Sequence, residues 1–127
     1  MCFTTKLGQS AVITDQDITA FKVLTKEKNE LSSPFRRMKW KLGGTKKVTK
    51  FTSNPLGRSV YHGIHCYKSL PALIRDWDGA GKRGNCYQIY LITIPKGTMV
   101  HINDTEYCAE KVTLENLAPI RIKSKKK

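Results

Sequence analysis

The sequence predicts an α+β domain: a mostly antiparallel sheet of six or seven strands with one main helix at about 69–78. Three observations predict it. Runs of six to nine residues rich in Val, Ile, Thr and aromatic side chains recur between Gly, Pro and Asn turns, the pattern of strands. RMKWKL (37–42) alternates apolar and basic residues, as a strand does when one face is buried. Only LPALIRDW (70–77) carries an apolar stripe at helical spacing.

Residues 1–17 are mixed and polar, and read as an N-terminal arm or edge strand. ITAFKVLT (18–25) is β-branched and apolar, a largely buried strand. KEKNE turns the chain, and Ser33-Pro34 blocks a helix there. In RMKWKL, Met38, Trp40 and Leu42 share one face and Arg37, Lys39 and Lys41 the other. Gly43-Gly44 supplies the positive φ angles of a tight turn, and TKKVTKFT (45–52) returns, so a basic β-hairpin is expected at 37–52.

After the loop SNPLGR, VYHGIHCY (60–67) reads as a strand, and Ser69 caps the helix. Leu70, Leu73, Ile74 and Trp77 form its stripe, and Pro71 sits in the first turn, where its missing N–H costs nothing. Glycines in DGAGKRGN end the helix. CYQIYLITI (86–94) is the most apolar run and the expected central strand. TMVHIN (98–103) and AEKVTLEN (109–116) complete the sheet. Residues 18–120 thus read as a single domain, and 121–127 as a basic flexible tail, with no internal repeat.

The chain of 127 residues is long enough for one core. No apolar run approaches the ~20 residues that span a bilayer, and the start lacks the apolar region of a signal peptide. The expectation is an intracellular protein with no membrane partner. Cys2, Cys66, Cys86 and Cys108 are widely spaced without a C-x-x-C pair, and read as reduced thiols.

Charge is the strongest global signal. The net charge is +13, and it is unevenly placed. Arg36, Arg37, Lys39, Lys41, Lys46, Lys47 and Lys50 fall in 36–50 without one acid, whereas 101–118 holds four acids and one lysine. That asymmetry points to a polyanion-binding surface at those seven residues.

The stretch VYHGIHCYKSL (60–70) concentrates chemically capable side chains. In an extended strand His62 and Cys66 stand about 13 Å apart at ~3.3 Å per residue, and His65 faces the other way. The run therefore cannot chelate zinc by itself; a site requires Cys86, His101 or Cys108 from neighbouring strands. For the same reason His65 cannot activate Cys66. No metal, no cofactor and no catalytic residue is assigned. Ile64 and Cys66 are expected to pack inward, while Tyr61, His65, Tyr67 and Ser69 line a possible ligand pocket and Gly63 admits a close approach.

The motif order resembles a family of short uncharacterised proteins from bacteria, phages and other viruses. The residues that carry the resemblance are Met1-Cys2, Ala20–Leu24, Ser33–Phe35, Lys39–Gly43, Gly63–Leu70, Ile94–Thr98 and Glu106–Ala109. It covers most of the chain and implies no chemistry. A fainter likeness is to the ADP-ribosyltransferase fold, through Lys22, Gly63–Ser69 and Glu106 or Glu110 in similar order. Lys22 stands where that family has Arg or His, and the S-T-S and Q-x-E motifs are missing. The likeness implies a nucleotide-shaped pocket.

The expected function is a small basic phage- or virus-like protein that binds a phosphate-bearing partner, nucleic acid first, through the basic hairpin. Two alternatives stay open: a virion or host-factor protein-interaction module, and an ADP-ribosyltransferase-like domain that binds or sequesters a nucleotide; if viral, the protein is expected in the host cytoplasm or the virion. Enzyme activity is the less expected class.

Overall fold

The computed structural model describes residues 3–4, 11–27, 30–32, 39–48, 51, 59–60, 63–82 and 86–121. In chain order these form β1 (Phe3–Thr4), β2 (Val12–Ile13), β3 (Ile18–Glu27), β4 (Glu30–Ser32), β5 (Lys39–Trp40) and β6 (Thr45–Lys47). They continue as β7 (Ser59–Val60), β8 (Ile64–Tyr67), α1 (Leu70–Asp76), β9 (Tyr87–Ile94), β10 (Met99–Ile102), β11 (Glu106–Ala109) and β12 (Lys111–Leu114). The class is mostly antiparallel α+β with one helix among the described residues, and the strands outnumber the six or seven expected. The excess comes from two-residue ladders such as β2 and β5, too short to leave a periodic signature in sequence.

Ten strands form one sheet in the order β2-β10-β11-β8-β3-β9-β12-β6, and β4 branches from β3 to pair with β5. β1 and β7 pair separately. The centre is the long β3–β9 ladder, which runs in register from Ile18↔Ile94 to Thr25↔Tyr87. Both strands are rich in β-branched and aromatic residues, which suits a sheet covered on both faces.

One connection shapes the sheet. β11 and β12 are separated only by Glu110, yet β11 pairs with β8 and β12 with β9, two of the three strands that pair with β3. The bent segment 106–114 therefore closes a circuit through β8, β3 and β9, and the sheet curls around its own inner face. At the bend the Glu110 N–H donates to the Met99 carbonyl and its own carbonyl accepts from the Val48 N–H. Alternation along AEKVTLEN correctly implies extended chain but cannot reveal that the strand changes partners midway.

The inner face carries the main core, including Ala20, Leu24, Ile64, Cys66, Tyr90, Ile92, Ile94, Ala109, Val112 and Leu114. The opposite face of β3, β8 and β9 carries a second cluster of Val23, Tyr67 and Ile89 under α1. Leu70, Leu73, Ile74 and Trp77 of the helical stripe pack into it. Ser69 caps the helix, its hydroxyl accepting from the Ala72 N–H at 3.4 Å. Among the described residues, no helix is long and apolar enough to cross a membrane.

Among the described residues, the expected hairpin at 37–52 does not form. β5 pairs with β4 (Leu31↔Trp40), and β6 pairs with β12 (Thr113↔Thr45), so the turn at Gly43 separates two strands with different partners. Gly43 does hold a φ of 77°, but its N–H bonds the Leu114 carbonyl rather than closing a two-strand loop. Trp40 is buried as its alternation implies, whereas Leu42, expected beside it, is 45% exposed in the turn. Met38, Arg36, Arg37 and Lys50 lie outside the described residues, as does most of the expected basic tail.

Candidate functional site

Strand parity divides the residues singled out in the sequence between two faces. On β8, Ile64 and Cys66 point into the main core, 3% and 1% exposed. His65 and Tyr67 lie on the other face. Tyr67 belongs to no open groove: it is buried beneath α1, and its hydroxyl donates to an Asp76 carboxylate oxygen at 3.0 Å. Burial and the Asp76 carboxylate both hold its phenol above the ordinary range. With Ser69 engaged in capping, the pocket expected from Tyr61, His65, Tyr67 and Ser69 is not assembled as read; Tyr61 lies outside the described residues.

Register brings together residues that the sequence scatters. Cys108 pairs with His65 on one side and with His101 on the other, so β8, β11 and β10 present a His–Cys–His row. Two of its three members are closed over, and His65 is half-buried. Cys108 and His101 are 0% and 1% exposed, and the Phe51 ring stacks on His101 at 5.4 Å between centroids. Gly63, with φ 153°, lies against the Cys108 thiol, so the close approach expected at this glycine is made by the protein itself. Among the described residues no three His, Cys, Asp or Glu side chains are placed to hold a metal ion. Purified protein is accordingly expected to carry no stoichiometric zinc. Elemental analysis giving about one zinc per chain, lost in His65→Asn or Cys108→Ser, reverses this expectation.

Glu106, named in the transferase likeness, pairs in register with Tyr67. Burial, and then the nearby Asp76 carboxylate, raise its pKa above the usual carboxylate range. Both effects disfavour the charged form that an oxocarbenium-like transition state needs.

The inner face holds the least expected group. Lys22, the third of the even-numbered inward positions of β3 with Ala20 and Leu24, is only 8% exposed. Its Nζ donates to the His65 carbonyl at 2.7 Å and lies 5.9 Å from the Trp40 ring centroid. Cys66 and Cys108 are the titratable groups that act on it, and no carboxylate among the described residues forms an ion pair with it. Desolvation lowers its pKa from 10.5. The same burial pushes the Cys66 thiol up to about 12, so that thiol is inert as a nucleophile. Composition marks 18–25 as a buried strand, and its parity carried through position 22 is the signal that locates this lysine.

The basic residues distribute themselves around the β5, β6 and β12 end. Lys39, Lys41 and Lys47 are exposed, while Lys46 shares the face of Val112 and is half-buried. Lys47 stands directly opposite Lys111 across the β6–β12 ladder. The next pair on that face is Thr45 and Thr113, whose hydroxyls bond at 2.8 Å. The threonine row continues through Thr93 to Thr19, across four strands. Lys39 makes one long, exposed pair with Glu30 at 3.8 Å; among the described residues no acid pairs with Lys41, Lys46, Lys47 or Lys111.

In comparisons with known proteins, the chain matches no family model, no curated protein and no solved structure.

Proposed function

We propose that this chain binds a nucleic-acid backbone through the lysines at the β5, β6 and β12 end. The observation that carries the reading is the direct opposition of Lys47 and Lys111 beside the Thr45–Thr113 hydroxyl pair. Like charges facing one another across a ladder destabilise it. A phosphate seated between them reverses the sign of that interaction, and neighbouring hydroxyls donate to its oxygens. Exposed Lys39 and Lys41 extend the positive surface along the chain that leads into β6. The net charge of +13 adds long-range attraction for any polyanion.

Binding of this kind is read through its salt dependence. For duplex DNA the logarithm of affinity should fall against log salt with a slope of about −0.9 for each phosphate neutralised. The double variant Lys47→Glu, Lys111→Glu should weaken binding equally for unrelated sequences and flatten the slope by about two phosphates' worth. Affinity that ignores salt, or no binding at low salt, sinks the proposal. The second outcome favours a protein partner instead, for which Val12 and Ile13, 48% and 68% exposed on β2, offer an apolar strand.

A further inference from the structure

We propose that the nucleic acid bound by this chain is single-stranded and lies across the outer face of β3, β9, β12 and β6. This rests on backbone binding at Lys47 and Lys111, and adds what the sugars and bases touch. Residues paired directly across antiparallel strands share a face, and positions two apart along a strand return to it. Three successive rows of the outer face follow from register. The first is Lys47–Lys111. The second is Thr45–Thr113–Thr93–Thr19. The third holds Leu91 and Phe21, with Glu115 at its β12 end, where the Glu115 N–H donates to the Leu91 carbonyl at 3.2 Å. From the cations to the apolar row is four residues along the strands, about 13 Å at ~3.3 Å per residue.

Cation, hydroxyl and apolar side chain succeed one another in the order of phosphate, sugar and base in a single strand lying on its side. Charge fixes the direction. The lysines attract phosphates at one edge, and Glu115 repels them from the other. At the β3 end the Asp17 carboxylate is already engaged, accepting from the Lys96 N–H at 2.8 Å. Phosphate contacts therefore centre on β6 and β12. The surface is accessible along its length: Thr19 and Thr45 are exposed, and Thr93, Thr113, Leu91 and Phe21 are half-buried. Beyond the third row α1 covers Val23 and Ile89, which bounds the shelf on the side where the bases lie.

A duplex cannot use this arrangement. Its bases are stacked inside and show only their edges in the grooves, so it reaches the lysines and leaves Leu91 and Phe21 uncovered. Electrostatics alone favours the duplex, since counterion release per phosphate is about 0.9 for B-DNA and about 0.7 for single strands. A preference for single strands therefore reports the sugar and base contacts.

The test uses the full chain and a short labelled DNA of mixed sequence, either free or annealed to its complement. Anisotropy titrations at one low salt concentration should show the single strand binding about tenfold more tightly. Leu91→Ala should weaken the single strand more than the duplex, whereas Lys47→Glu with Lys111→Glu should weaken both. Photo-crosslinking of the parent protein to a strand carrying iodouracil needs no variant, and its adducts should map to peptides containing Phe21 or Leu91. Duplex binding as tight as single-strand binding overturns this inference and leaves backbone binding standing. Adducts confined to the exposed Tyr87 and its neighbour Trp77 do the same. No binding of either form at low salt removes the backbone reading, and this inference with it.

Discussion

Gly63→Ala is expected to lower the melting temperature by about 10 °C, because two separate penalties fall on one methyl group. The first is backbone. Gly63 holds φ at 153°, a conformation that L side chains rarely adopt; such strain costs roughly 1–3 kcal/mol. The second is steric. A Cβ at this position runs into the Cys108 sulfur and stands 3.2 Å from the Phe51 ring. Cys108 is fully buried and Phe51 stacks on His101, so neither neighbour gives way freely. Overpacking of this kind costs roughly 1–3 kcal/mol more. The two parts can be separated by a double-mutant cycle. Adding Cys108→Ala should recover the steric part and leave the backbone part. A Gly63→Ala protein with unchanged thermal stability shows that the chain at Gly63 does not press closely on Cys108.

Lys22→Met should act in the opposite direction, raising stability at pH 7 by about 1–3 kcal/mol. Methionine keeps the unbranched stem within the core and removes the group that must be either buried with its charge or stripped of its proton. The penalty is partly offset by the hydrogen bond from Nζ to the His65 carbonyl, which the variant loses. The pH dependence has a definite sign. The folded-state pKa lies below 10.5, so between the two values the unfolded chain holds a proton that the folded chain lacks. Stability of the parent protein therefore rises with pH through that window. The advantage of Lys22→Met should be greatest below the folded-state pKa and should shrink as pH approaches 10.5. Paired urea titrations across pH measure it. A variant less stable than the parent at neutral pH would show that the amine contributes more as a hydrogen-bond donor than it loses by burial.

The residues differed in how much of their fate could be read in advance. The buried faces of β3, β8 and β9 and the capped helix follow from periodicity and from Ser69, which are local properties. The partners of β5 and β6 were not legible. RMKWKLGGTKK contains every local signal of a hairpin, yet Trp40 finds a better-buried position against Leu31, and β6 pairs with β12. Pairing is decided by which apolar surfaces can be covered together, a long-range property that no short window contains. The same limit hid the His65–Cys108–His101 row, whose members are brought together only by register. It also hid the Lys47–Lys111 opposition, since Lys111 lies in the acidic part of the chain, away from the basic run at 36–50. Lys22 was hidden for another reason: a lysine within a strand is ordinarily taken as exposed.

The closing of the sheet at Glu110 has a consequence for how the protein comes apart. A sheet with free ends can fray one strand at a time, each departure breaking a single ladder. Here β3, β8, β9 and the bent β11–β12 segment form a ring, so each must release at least two ladders before it can leave. Their loss is therefore cooperative, set by the global unfolding free energy. Among the described strands, β2, β5 and β6 each hang from a single ladder. They can detach at lower free energy while the ring stays whole. One of these three, β6, carries Lys47 of the Lys47–Lys111 opposition. The cheapest motions thus fall on the edges, β6 with Lys47 among them, while the ring that encloses the core stays intact.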